Sequence, residues 1–202
     1  ICKSLICATE GVLAAELLAG IEGLESLRDA IQQQQRSVGS MYYTFQGESP
    51  VNESILVLNG VKGNDGTRPG PVNSIVFPHV CNESYAPENH GLCSVSILGS
   101  VMDEYARDGK EDQLDHDVRA QLSEWFPKFK KSIEEDWSLK KTYIIRNAQP
   151  SQLQGPFPAN VHGGRDCSRI GGLHLKPGLF VCGDYMATAT LNGAIECCSS
   201  HI

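Results

Sequence analysis

The sequence holds no run of about 18 apolar residues, the length a helix needs to cross a lipid core, so no transmembrane segment is expected. It has no basic stripe either. Its 17 Lys and Arg are outnumbered by 24 Asp and Glu, and a net charge of -7 argues against nucleic acid as a partner. Cysteines 2, 7, 81, 93, 167, 182, 197 and 198 are scattered, with no Cys-x-x-Cys pair and no zinc spacing, so no metal is expected. They read as reduced thiols and hence as an intracellular protein, for which a plastid or the cytosol is equally suitable. Two triplets, Asn52-Glu53-Ser54 and Asn82-Glu83-Ser84, have the form of glycosylation acceptors but also arise often by chance, and are read as chance. The chain lacks an initiator Met. Ile1-Cys2-Lys3-Ser4-Leu5-Ile6-Cys7 is too short for a signal sequence and reads as the interior of a longer protein. No internal repeat is visible.

What is present is enough for a core: 202 residues, 41% of them hydrophobic, fill one large domain or one and a half small ones. Residues 1–9 read as a strand and residues 12–18 as a helix, with Leu13, Leu17 and Leu18 on one face and Gly20 ending it. A polar helix is expected over residues 24–35. Strands follow at 37–45, 54–58, 72–80 and 92–98, joined by short loops and by a Gly/Asn/Asp-rich turn at 59–70, which argues for an antiparallel sheet. In 92–98 apolar and polar residues alternate, the period of a half-buried strand. Residues 102–133 carry a helical stripe of Leu114, Val118, Leu122, Trp125 and Phe126. A strand over 139–146 and a Pro/Gly-rich connection over 151–176 complete this part. The connection holds His162 and His174, read as solvent-exposed rather than as a metal pair.

The chemistry concentrates in residues 177–196, PGLFVCGDYMATATLNGAIE. Pro177-Gly178 turns the chain and Leu179-Phe180-Val181-Cys182 has the length and composition of a buried strand. Gly183-Asp184 stops it, and a small-residue helix start follows. Strand, glycine, acid and helix start in this order place a carboxylate at the carboxyl end of a strand beside free helix N–H groups, where open α/β sheets bind ligands. Asp184 is then an acceptor for vicinal hydroxyls. Gly183 allows close backbone approach, and Thr188 or Thr190 caps the helix. The N–H groups of Leu191, Asn192, Gly193 and Ala194 are donors to a carbonyl or partial negative charge.

This stretch resembles the carboxyl-terminal flavin motif of the FAD-dependent amine oxidase and phytoene desaturase-like oxidoreductases, in which a strand ends in Gly-Asp or Gly-Glu before a helix opening with Gly-Ala. The resemblance implies FAD as cofactor, with Asp184 at its ribityl or pyrophosphate region, the backbone of Leu191, Asn192 and Gly193 at the pyrimidine edge of the ring, and Gly183, Thr190 and Ala194 also among the cofactor-binding residues. Ala8-Thr9 and Leu17-Leu18 match the segment by which that family returns to its FAD domain. Tyr143, Arg146, Ala148 and Pro150 match a strand that leads back from the substrate domain, so Tyr143 and Arg146 are implied to line the substrate cavity. The implied fold is α+β, related to α/β: an antiparallel or mixed substrate-domain sheet with flanking helices, plus the C-terminal strand and helix of a Rossmann-like FAD domain. The segments are 1–20 (returning FAD segment), 21–150 (substrate-type sheet domain with the 102–133 helix), 151–176 (connection) and 177–202 (FAD-domain strand and shortened helix).

One part of the pattern is missing. A flavoprotein of this class needs a Gly-x-Gly-x-x-Gly turn to seat the pyrophosphate, and glycines 60, 63, 66 and 70 are spaced wrongly for it. The expectation is therefore the carboxyl-side part of an FAD-dependent oxidoreductase with an incomplete cofactor site in this chain. It would act by two-electron (hydride) oxidation on a small or prenyl-type substrate. Two rivals stand beside it: a cofactor-less binding or regulatory module, favoured by the absent turn, and a small thiol or metal protein, disfavoured by the spacing.

Overall fold

In the computed structural model, residues 3–22, 24–25, 28, 35–60, 69–151, 165–166, 178–186 and 188–199 are described. The chain divides into two compact units, one of residues 1–36 and 147–202, the other of residues 37–146. The fold is α+β.

The second unit is built on a five-stranded sheet in the order β3-β4-β5-β2-β6. Its strands are β2 (Gln35–Gln46), β3 (Val57–Leu58), β4 (Val72–Val76), β5 (His90–Leu98) and β6 (Ser138–Pro150), with the ends of β2 and β6 running into the first unit. The central antiparallel pair shows why the sequence makes a sheet. Gly39, Met41, Tyr43 and Phe45 stand opposite Ile97, Val95, Cys93 and Gly91, and all of them are buried. The residues between them face the other way, as the two-residue period of a strand requires.

Helices cover the buried face. α2 (Pro78–Cys81) is a single turn opened by its proline. α3 (Gly99–Arg107), α4 (Glu111–Trp125) and α5 (Lys130–Glu135) occupy the stretch expected to be helical, with breaks at Asp108-Gly109 and at Phe126-Pro127. Gly109, with φ of +64°, takes the left-handed turn that ends α3, and Pro127 has no N–H to continue α4. Leu114, Val118 and Leu122, four residues apart, present the expected stripe to Met41, Tyr43, Phe45, Val95 and Ile97. The Trp137 ring stacks on Phe45 at 4.7 Å between centroids.

Polar bolts fix this layer. Arg119 donates from Nε to both Asp115 oxygens at 3.0 Å and from Nη1 to the carbonyls of Ile133 (2.7 Å) and Trp137 (2.9 Å). The Tyr43 hydroxyl donates to Asp115 at 2.8 Å, and the guanidinium lies over the Tyr43 ring. Burial, and then the Asp115 hydrogen bond, push the Tyr43 phenol far above its ordinary range. A second clamp joins α4 to β4. The Gln121 amide accepts from Val72 N–H at 2.8 Å and donates to Pro69 carbonyl at 3.0 Å. Asn59 donates from Nδ2 to the Pro69 and Val72 carbonyls, at 3.2 and 2.9 Å.

The first unit holds a three-stranded sheet in the order β1-β8-β7, from β1 (Leu5–Cys7), β7 (Arg165–Asp166) and β8 (Leu179–Val181). α1 (Gly11–Leu17) and α6 (Leu191–Ser199) belong to it. Its core is Cys7, Ala14, Ala15, Leu18, Leu24, Leu179, Val181, Cys182 and Tyr185. The face of α1 differs from expectation. Leu18 is 3% exposed, but Leu13 and Leu17 are 42% and 60% exposed, and Ala14 and Ala15 take the buried side. Small alanines let the helix lie close to the strands, so the larger leucines turn outward. Most of the helix expected at 24–35, the core of the 59–70 turn, most of the 151–176 connection with His162 and His174, and the chain's last three residues lie outside the described residues, while Gln35 already belongs to β2.

Candidate functional site

β1 and β8 run parallel, with Leu5, Ile6 and Cys7 in register with Leu179, Phe180 and Val181. Leu5 N–H donates to Gly178 carbonyl at 2.7 Å and Cys182 N–H to Cys7 carbonyl at 2.9 Å. Because the pair is parallel, both strands deliver their following residues to the same edge: Ala8, Thr9 and Glu10 after β1, and Gly183 and Asp184 after β8. Cys182 is buried there, as its apolar run predicts.

Glu10 caps α1. Its carboxylate accepts from Val12 N–H at 2.9 Å and Leu13 N–H at 2.6 Å, placing negative charge at the positive end of the helix. Asp184 opens a 3₁₀ turn (Asp184–Met186) rather than leading straight into a helix. Its carboxyl sits above the usual carboxylate range. Burial is the main cause and the Glu10 charge adds to it, while backbone N–H bonds from Tyr185 and Asp184 itself pull the other way. The Tyr185 hydroxyl donates to Cys182 carbonyl at 3.2 Å, folding the turn under its own ring. A Cβ on Gly183 would run into that ring, so here the glycine is required by Tyr185.

α6 is capped by Thr190, whose Oγ1 accepts from Gly193 N–H at 3.0 Å and bonds Thr188 Oγ1 at 2.9 Å. Thr190 carbonyl accepts from Ala194 N–H at 3.1 Å. Of the four N–H groups singled out from the sequence, those of Gly193 and Ala194 are thus taken within the helix. Leu191 and Asn192 supply the two at its open start. Gly193 is also fixed by packing, since a Cβ there would collide with Thr188 carbonyl. Gln149 Nε2 donates to Ala189 carbonyl at 2.6 Å and holds the turn before the helix. Ser151, two residues further along, is buried, and its hydroxyl has no partner among the described residues.

The first unit therefore brings Gly183, Asp184, Thr190, Leu191, Asn192, Gly193 and Ala194 together with Glu10, Gln149 and Tyr185. Sequence reasoning missed the roles of the last three. Glu10 lies in the segment read as a returning strand end, but glutamate is not a preferred capping residue. Nothing in the sequence ties Gln149 to a turn forty residues away. Tyr143 and Arg146 belong to the second unit, exposed on β6, where the Tyr143 ring meets Tyr42 edge-on at 5.9 Å and carries the Lys141 ammonium at 5.5 Å. Among the described residues no group of three or more His, Cys, Asp or Glu is placed to hold a metal ion. Among them, too, no helix is long and apolar enough to cross a membrane.

No curated protein matches the chain. Among solved structures, an oxidoreductase from Methanosarcina mazei superimposes with a TM-score of 0.61 at 15% identity, covering 96% of this chain and 41% of that one, a likeness of fold. A Pyrococcus furiosus protein overlaps 78% of this chain and 29% of its own at a TM-score of 0.41 and 14% identity, too slight to argue from. This chain thus spans about two-fifths of the length of the Methanosarcina protein. The profile of flavin containing amine oxidoreductases matches residues 2–197, almost end to end. With that match over a two-unit α+β fold, the chain belongs to the flavin containing amine oxidoreductase family.

Proposed function

We propose that the chain is the carboxyl-side part of an FAD-dependent oxidoreductase, and that the shared edge of β1 and β8 forms one half of its flavin cleft. The observation that carries this is the Asp184 carboxyl. It is partly withdrawn from water at a parallel strand end, in one unit with a helix that opens with Leu191 and Asn192, ahead of the Gly193 N–H that the Thr190 cap takes. A carboxyl with a raised pKa suits neutral hydroxyls, and two helix-start amides suit a carbonyl edge. These residues therefore fit the ribityl and ring-edge portions of the flavin. Ser151, buried with an unpartnered hydroxyl in the same unit, fits a site completed by something else. The pyrophosphate has no matching glycine turn in this sequence and is assigned to a segment outside it. Family membership supports the cofactor.

Bound there, the flavin supplies a two-electron acceptor, and the chain's residues do the holding. Asp184 would hold the ribityl hydroxyls, Gln149 and Thr190 set the direction of the α6 amides, and the buried Cys7, Val181 and Cys182 keep water from that side. The substrate is a small molecule, oxidised at carbon. Tyr143 and Arg146 are proposed to face it.

Calorimetric titration of FAD into the isolated chain tests the reading. Binding weaker than micromolar is expected, and Asp184→Ala should weaken it at least tenfold further. Sub-micromolar binding that ignores Asp184 would remove the assignment. A cofactor-less binding module is the second reading, favoured by the missing glycine turn. It is supported if flavin binds neither this chain nor a longer protein containing it.

A further inference from the structure

Among the described residues two buried side-chain polar atoms have no hydrogen-bond partner, the hydroxyls of Ser123 and Ser151. Ser123 lies inside α4, where a turn about its side-chain bond brings a serine hydroxyl to the carbonyl one helical turn back. Ser151 lies in no helix and has no such resort. It is 9% exposed, and it is the first residue after β6, whose residues 140–149 are all exposed. The chain thus passes from open to buried within two residues. Gln149 shows where it is heading, since its Nε2 donates to Ala189 carbonyl at 2.6 Å, and Gln149, Ser151 and Ala189 belong to one unit. Side chains two residues apart on an extended strand share a side, so Ser151 faces the way Gln149 does, toward the 188–190 turn and the start of α6. Open donors are found there. Thr190 takes the N–H groups of Gly193 and Ala194, while those of Leu191 and Asn192 have no acceptor among the described residues. A helix start alone says only that an acceptor is welcome. A buried hydroxyl without a partner, brought to the same turn by another element, is an independent sign of a polar group to come.

We propose that Ser151 is a flavin-contacting residue, whose hydroxyl joins the Leu191 and Asn192 amides in seating the imide edge of the isoalloxazine ring. The ligand group follows from what each protein group can do. Backbone amides only donate, which suits the two carbonyls of an imide. Between those carbonyls lies an N–H, and of the three protein groups the hydroxyl alone can accept from it. The adenine and nicotinamide rings carry no carbonyl, N–H, carbonyl edge. This role rests on the flavin reading above, and it adds a residue outside the local run of strand, glycine, acid and helix.

FMN carries the ring and ribityl chain without the adenylyl half, and it is the probe, with AMP for comparison. Each is titrated into the nitrogen-15-labelled chain and followed by amide chemical shifts. FMN is expected to move the amides of Ser151, Leu191 and Asn192, and AMP is not. Ser151→Ala should weaken FMN binding about three- to tenfold, the loss of one hydrogen bond. In the ligand-free chain the same substitution should leave the urea midpoint unchanged or raise it, because it removes a buried hydroxyl that no described residue satisfies. A merely structural serine gives the reverse, a lower midpoint and unchanged binding. Ser123→Ala is the control: it removes the other unpartnered hydroxyl, in the second unit, and should leave FMN affinity as it was. The proposal is overturned if Ser151→Ala binds FMN as the parent does, if its ligand-free midpoint falls, or if AMP moves these amides more than FMN. Where the parent binds FMN and Asp184→Ala weakens that binding, the flavin reading survives such a result. If FMN moves no amide of the parent, the flavin reading falls and the role of Ser151 falls with it.

Discussion

Asp184 and Glu10 are two carboxylates on one edge, and the fold tolerates their proximity at a cost to stability. The Asp184 pKa is raised in the folded chain, so folding favours its protonated form. Its contribution is most favourable below the ordinary carboxylate pKa of about 3.9 and is lost as pH rises through the raised value. Asp184→Asn resembles the protonated form. It should therefore raise the urea midpoint at pH 7 and leave it unchanged near pH 3, while weakening flavin binding. Equal effects at both pH values would show that burial and Glu10 do not govern this group. Arg119 is the opposite case. Its guanidinium is mostly buried and satisfies Asp115 and two carbonyls. Arg119→Ala leaves both carbonyls without this donor and Asp115 with the Tyr43 hydroxyl alone, and should cost about 2–4 kcal/mol in chemical denaturation, several times the loss from an exposed ion pair such as Lys131–Glu135.

At the level of elements, α6 depends on the 188–190 turn at its start. Thr190→Ala removes the cap and should cost about 1 kcal/mol. Gly193→Ala drives a methyl group into Thr188 carbonyl and should cost about 1–3 kcal/mol, despite alanine's better helix propensity. Both are read by thermal unfolding followed through far-ultraviolet circular dichroism. The pattern of strand, glycine, acid and helix was legible in the sequence because each part is local: an apolar run, a turn residue, a hydroxyl cap. β5 was legible for the same reason, through its period of two, whereas the strand expected over 72–80 ends at Val76 because Pro78 opens the turn of α2. The buried side of α1 was not. Leucines at 13, 17 and 18 suggest an inward stripe, but close packing of Ala14 and Ala15 against the strands decides the rotation, and that depends on a partner the sequence does not display. Leu13→Ser with Leu17→Ser should accordingly change stability by no more than about 0.5 kcal/mol.

On the scale of the whole chain, the first unit exposes more apolar surface than its small core leads one to expect. Leu5, Ile6, Leu13, Leu17, Leu191 and Ile195 are all exposed, and parallel strand pairs are ordinarily covered on both faces. The long-range ties, Gln149 to Ala189 and Arg119 to Ile133 and Trp137, were not legible in the sequence, because a side-chain amide or guanidinium gives no sign of which distant carbonyl it will meet. The Gln121 clamp has a consequence for how this architecture can diversify. By offering one acceptor and one donor to the chain at Pro69 and Val72, it stands in for the peptide group of a neighbouring strand, and Asn59 anchors the approach from the other direction. With both ends fastened, residues can be added or removed between positions 60 and 69 while the sheet keeps its register, which makes that interval a natural place for relatives to acquire new lengths and new specificities.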